Sequence, residues 1–204
     1  MIAIVDYGVG NLFSLRSSFA AIGEDVTVTS APEVLRSADK LVLPGVGAFG
    51  DAADKLQQTG LDRVLRREAA GGKPLLGICL GMQLLFEKSL EHGEHEGLGL
   101  LKGTVRPISE RIPTGLKIPH IGWNALRFLR ESPLFASVEE GDHMYFVHSY
   151  AAEDCADSLI AVTDYGADLA AAVGRDNIYG CQFHPEKSGK VGLSILRAFA
   201  EMRA

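Results

Sequence analysis

Cys79 sits within Leu75-Leu76-Gly77-Ile78-Cys79-Leu80-Gly81-Met82-Gln83, an apolar run followed by a Gly-x-Cys-x-Gly core and a segment of helical character. A cysteine on such a strand-to-helix turn is the sulfur counterpart of the nucleophile elbow, which lifts a reacting side chain clear of a sheet. The flanking glycines suit it, because the nucleophile's backbone is strained and side chains beside it would collide. The turn puts the thiol at a helix N-terminus, where the dipole favours thiolate. It also aims the backbone N–H of Leu80 at a developing oxyanion. Taken alone, the motif fits a buried core cysteine at a tight turn equally well. A partner residue has to decide.

That partner is offered by Tyr179-Gly180-Cys181-Gln182-Phe183-His184-Pro185-Glu186. A nucleophilic cysteine needs a base, and the base needs an acceptor that fixes its tautomer. His184 and Glu186 supply both, on the same side of an extended chain. Cys155, in the polar loop Glu153-Asp154-Cys155-Ala156-Asp157, has carboxylates beside it that raise its pKa, and Cys181 reads as a packed strand residue. Leu43-Pro44-Gly45-Val46-Gly47-Ala48 follows an expected strand, and its glycines let backbone amides approach a ligand, so it can donate a second oxyanion contact from around Val46 and Gly47. On its own residues it is a plain strand-to-helix loop. Gly8-Val9-Gly10 imitates a dinucleotide fingerprint, but the third glycine position is Phe13 and no acidic residue closes a second strand. A nicotinamide site is rejected. Glu91-His92-Gly93-Glu94-His95-Glu96 has metal-ligand residue types but no apolar surround, and reads as a solvated loop rather than a metal site.

The elements that must hold these residues read as α/β. Strands are expected at Ile2–Val5, Asp25–Val28, Lys40–Leu43 and Leu75–Ile78. A helix is expected with Leu12, Leu15, Phe19 and Ile22 on one face, and another across 52–70. This alternation implies a mostly parallel central sheet covered by helices on both faces. Between Gly103 and Tyr150 come short β-rich pieces separated by turn residues, expected as antiparallel additions to that sheet. Strands follow at Leu159–Thr163 and Ile178–Phe183, and a closing amphipathic helix at Ser188–Met202, with Val191, Ile195 and Phe199 at helical spacing. No repeat or linker divides the chain, so one domain is expected over 1–204.

Composition excludes several classes. The 204 residues are 47% hydrophobic and 23% charged, ordinary for a globule. A net charge of −6 argues against a nucleic-acid partner. The longest apolar runs fall far short of the ~20 residues of a membrane span. Three widely spaced cysteines are not a disulfide framework. Met1 leads straight into Ile2–Val5 with Asp6 after it, so no secretory leader is expected and the chain reads as cytoplasmic.

Together the motifs closely resemble the class I (triad) glutamine amidotransferases. Pro-Gly-Val-Gly, Gly-Ile-Cys-Leu-Gly-Met-Gln and Phe-His-Pro-Glu carry that likeness over essentially the whole chain. Within the family the chain is similar to the glutaminase subunits of imidazole glycerol phosphate synthases, through Asp6–Asn11, Pro119–Asn124, Tyr145–Tyr150 and His184–Ser188. The resemblance implies that Cys79 is the nucleophile, His184 the base and then the acid, and Glu186 its orienting carboxylate. Gly47 and Leu80 would line the oxyanion hole, the peptide around Val46 reorienting to complete it. Gln83 would contact bound glutamine and Glu91 would hold its α-amino group. No cofactor or metal is implied. Ammonia would pass to a cyclase subunit with a (β/α)8 barrel, with Asn11, Trp123, Tyr145 and Lys187 at or near that interface. For Trp123 the competing reading is a core aromatic, and for Lys187 a solvated lysine. A glutaminase for pyridoxal phosphate or anthranilate synthesis would share this chemistry, and the 120–124 and 145–150 segments argue against it. A binding module would not need Cys79, His184 and Glu186 together. A peptide-cleaving cysteine hydrolase is permitted by the elbow.

Overall fold

Strand β1 (Ile2–Val5) is buried along its length, with Ala3 and Val5 facing one core and Ile2 and Ile4 the other. A strand of period two is apolar throughout when both faces of its sheet are covered. The computed structural model describes residues 1–202, so the domain expected over 1–204 extends past them by its last two positions. After β1 come α1 (Leu12–Ala21), β2 (Val26–Thr29), α2 (Pro32–Ser37), β3 (Lys40–Gly45), α3 (Phe49–Thr59), α4 (Leu61–Ala70) and β4 (Leu75–Cys79). Then follow α5 (Leu80–Gln83), β5 (Phe86–Ser89), β6 (His95–Glu96), β7 (Leu101–Pro107), β8 (His120–Ala125) and β9 (Arg127–Phe128). The chain ends with β10 (His143–His148), β11 (Tyr150–Glu153), β12 (Leu159–Asp164), β13 (Asp168–Arg175), β14 (Ile178–Cys181) and α6 (Gly189–Glu201).

The main sheet has the order β2-β1-β3-β4-β14-β13-β12-β9. Its first five strands pair in parallel, and β13, β12 and β9 continue it by antiparallel pairing. One core lies under α2, α3 and α4 and includes Leu41, Leu43, Phe49, Leu56 and Leu65. The other lies under α1 and α6, with Phe19, Ile78, Phe183, Ile195 and Phe199.

The structure departs from the sequence reading at three places. The helix expected across 52–70 is two helices, because Gly60 takes the left-handed conformation (φ 72°) that stops a helix. The pieces between 103 and 150 mostly leave the main sheet. β7 and β11 join β5 and β6 in a four-stranded sheet, β8 and β10 form a two-stranded ribbon, and β9 joins the main sheet. Strand β13 was not expected at all. Its Ala170-Ala171-Ala172 run lacks the β-branched signal of a strand, yet those alanines are buried between the two layers.

Candidate active site

Cys79 ends β4 directly opposite Gly45 at the end of β3, while β14 on the other side ends at Cys181 opposite Ile78. The chain leaves β14 through Gln182 and Phe183 to His184, so three neighbouring strand ends deliver the Pro44–Gly47 loop, the thiol and the imidazole to one place. This is the carboxyl edge of a parallel sheet, where open α/β sheets place ligands.

Cys79 has φ 56° and ψ −113°, a backbone that costs a non-glycine residue about 1–3 kcal/mol. The elbow glycines serve close approach. A Cβ at Gly77 would lie 2.6 Å from the Gly81 carbonyl oxygen, one at Gly45 would lie 2.9 Å from the Gly81 nitrogen, and one at Gly81 would collide with the carbonyl of Leu43. The helix expected after the elbow is a single turn, Leu80–Gln83, with Cys79 as its cap. Its dipole is correspondingly small, so support for a thiolate has to come from a side chain.

His184 provides it. Its Nδ1 lies 2.7 Å from Glu186 Oε1, and both side chains are nearly buried, at 3% and 4% exposure. Burial opposes its protonation, but hydrogen bonds to Cys79 and Glu186 outweigh that and raise its pKa to about 9. At neutral pH His184 is therefore an imidazolium between a carboxylate and a sulfur. Gln182 approaches from the side, its Nε2 3.8 Å from Cys79 Sγ. The other two thiols have no such partner. Cys181 is fully buried and pushed well up by desolvation. Cys155 is raised to about 11, by burial first and by Asp154 and Glu153 only second, so the polar loop of the sequence reading is in fact a buried position. It borders a hollow of about 290 Å³ lined by Arg111, Glu153, Asp154 and Asp168, with no histidine among the lining residues.

Above Cys79 opens a cleft of about 630 Å³ whose lining includes Val46, Gly47, Leu80, Gln83, Glu91 and His184. Gly47 has φ 91° and stands exposed at its rim. Glu91 reaches in from the charge-dense segment, with Oε2 accepting the backbone N–H of Phe49 at 2.6 Å. That segment is thus less free than a solvated loop: His95 pairs into β6 and packs its ring on Gly50, although His92, Gly93, Glu94 and Glu96 are exposed. Among the described residues no group of three or more ligand-type side chains could hold a metal ion. Gln83 is 5% exposed, lines the cleft and donates from Nε2 to the Tyr150 carbonyl (3.1 Å) and to Gln182 Oε1 (3.0 Å). His148, Ser149 and Tyr150 also line it. The sequence marked 145–150 as a distinctive segment without assigning these residues to the site, and nothing in their spacing connects them to Cys79.

Of the four residues expected at an interface, Trp123 is 55% exposed, which removes the core-aromatic reading. Its ring meets Tyr145 edge-on at 6.1 Å, and Lys187 Nζ lies 5.8 Å above the Tyr145 ring. These three share one face of the β8–β10 ribbon with Ile121 and Val147. Asn11 is partly occupied locally, its Oδ1 accepting from Ser14 N to cap α1.

The model of the family described as glutamine amidotransferase class-I matches residues 3–202. A protein of Bacillus subtilis (strain 168) named imidazole glycerol phosphate synthase subunit HisH is 49% identical over 207 residues, covering 100% of this chain and 97% of that one. A protein of the same name from Methanothermobacter thermautotrophicus is 51% identical, covering 99% and 98%. Among solved structures, PurLQS from Thermotoga maritima superposes with a TM-score of 0.76 at 19% identity, covering 98% of this chain and 96% of that one.

Proposed function

The chain belongs to the class I glutamine amidotransferase family, and on that premise we propose that it is the glutaminase subunit of an imidazole glycerol phosphate synthase. The observation that carries the reading is the elbow cysteine beside an imidazole fixed 2.7 Å from a buried carboxylate. Relatives about half identical over nearly their whole length supply the particular synthase.

The Cys79 thiolate attacks the side-chain carbonyl carbon of glutamine, held by Gln83 and by Glu91 at its α-amino group. The oxyanion is met by the Leu80 N–H and by an N–H at Gly47. His184, already protonated, gives its proton to the departing nitrogen, and ammonia leaves as the C–N bond breaks. The neutral imidazole then takes a proton from water, which attacks the thioester, and glutamate departs as the thiolate is restored. Ammonia passes to a cyclase subunit with a (β/α)8 barrel, docked on the Trp123–Tyr145–Lys187 face. There it is used to make imidazole glycerol phosphate and aminoimidazole carboxamide ribonucleotide in histidine biosynthesis. Cys79→Ala tests the division of labour: in the complex it should lose glutamine-dependent activity by at least about 10⁴-fold and keep the ammonia-dependent cyclase reaction. Loss of both would refute the assignment of Cys79 to the glutaminase half alone.

A further inference from the structure

His120 and His148 are buried, to 2% and 6% exposure, and stand directly opposite each other at the end of the β8–β10 ribbon. They lie on the face opposite Trp123 and Tyr145, inside the molecule. Their nitrogens form one chain of contacts. Asn124 Nδ2 is 3.3 Å from His120 Nε2, His120 Nδ1 is 3.0 Å from His148 Nε2, and His148 Nδ1 is 2.8 Å from the Tyr150 carbonyl oxygen.

The donors in this chain can be assigned in one way. A carbonyl only accepts, so His148 Nδ1 carries its hydrogen. A neutral His148 then accepts at Nε2, which requires a hydrogen on His120 Nδ1. His120 Nε2 is left as an acceptor, and the Asn124 amide nitrogen donates to it. The orientation of that amide is set independently, because its oxygen accepts the N–H of Ala125 at 2.8 Å and its nitrogen donates to the Asp164 carbonyl at 2.7 Å. A further proton on either ring would set two donors against each other, a loss of a buried hydrogen bond. The surroundings agree. Burial first, and then the neighbouring His184, push His148 down to about 4 against the favourable Tyr150 carbonyl, and burial lowers His120. Tyr165 and Phe146 stack on the His120 ring at 4.2 and 5.0 Å.

The Tyr150 carbonyl at the end of this chain also accepts from Gln83, which continues through Gln182 to the sulfur of Cys79. We propose that His120 and His148 are positioning residues: a neutral, one-way hydrogen-bonded pair that holds the Tyr150 carbonyl, and through it Gln83, in the geometry that receives glutamine. The proposal rests on the glutaminase reading for its kinetic part and on hydrogen-bond geometry alone for its protonation part.

Imidazole ¹⁵N chemical shifts of the wild-type chain test the protonation part. At neutral pH both rings should be protonated at Nδ1 and bare at Nε2, and neither should titrate near pH 6.5. An Nε2-protonated ring, or an ordinary titration, would overturn the assignment. Kinetics in the complex test the positioning part. His120→Leu removes the donor and should raise the glutamine KM about tenfold or more while leaving kcat within about twofold, and His120→Asn, whose amide can donate from the same place, should stay near wild type. Equal behaviour of the two variants, or a wild-type KM in His120→Leu, would refute it. Absence of wild-type glutaminase activity would instead refute the function proposed above and leave the tautomer result standing.

Discussion

The protonated state of His184 makes a pH prediction with a definite sign. The imidazolium exists below about 9 and is lost as pH rises through that value, so kcat/KM for glutamine should fall on an alkaline limb near pH 9 as the acid that protonates the leaving nitrogen disappears. Glu186→Gln keeps an acceptor at Nδ1 but removes the charge, so this limb should move to lower pH and the rate should drop by about 10²–10⁴-fold. Stability follows the same linkage. A histidine whose folded pKa is raised contributes fully below its unfolded value near 6.5 and less as pH climbs toward 9. The thermal midpoint of wild type should therefore lose more than that of His184→Gln over that range. Cys79, His184 and Glu186 were legible in the sequence because a Gly-x-Cys-x-Gly turn and a His-x-Glu pair are local patterns with a chemical reason. Gln182 and His148 were not: Gln182 meets Cys79 across 103 positions, and His148 reaches the site only through the Tyr150 carbonyl two positions on, which meets Gln83 across 67. No local pattern encodes such contacts.

At the scale of elements, the elbow depends on how closely β3, β4 and the turn after Cys79 approach one another. Gly81 has no space for a Cβ against the Leu43 carbonyl, which is backbone and cannot swing aside. Gly81→Ala should therefore lose about 3 kcal/mol or more, measured by urea denaturation, and the cleft with it. Gly60→Ala should cost only about 1–2 kcal/mol, the penalty of a left-handed residue with open space around it, and should spare activity. A smaller loss at Gly81 than at Gly60 would mean that the elbow is not packed as described. Buried strands with branched side chains, such as β1 and β3, could be recognised from their runs. The break at Gly60 was hidden because the amphipathic pattern continues on both sides of it. The alanines of β13 carry no strand signal, and which sheet a short strand joins after residue 103 is decided by distant pairing, not by its own residues.

At the scale of the whole molecule, the β8–β10 ribbon turns His120 and His148 inward and presents Ile121, Trp123, Tyr145 and Val147 outward beside Lys187. An aromatic pair under a cation is the kind of patch that dominates protein interfaces. Trp123→Ala should weaken binding of the cyclase subunit by about 30-fold, or about 2 kcal/mol, with the melting temperature of the free chain nearly unchanged. A melting temperature that falls while affinity holds would assign Trp123 to the fold instead. The oxyanion contact proposed at Gly47 would come from an exposed glycine loop, so the free chain is expected to be nearly silent and a docked partner to complete the site. The most direct test measures glutamate release from free glutamine by this chain alone, then mixed with the cyclase subunit and its nucleotide ligand. Strong release is expected only in the mixture. Silence in both would contradict the glutaminase itself, and strong release by the isolated chain would contradict its dependence on a partner.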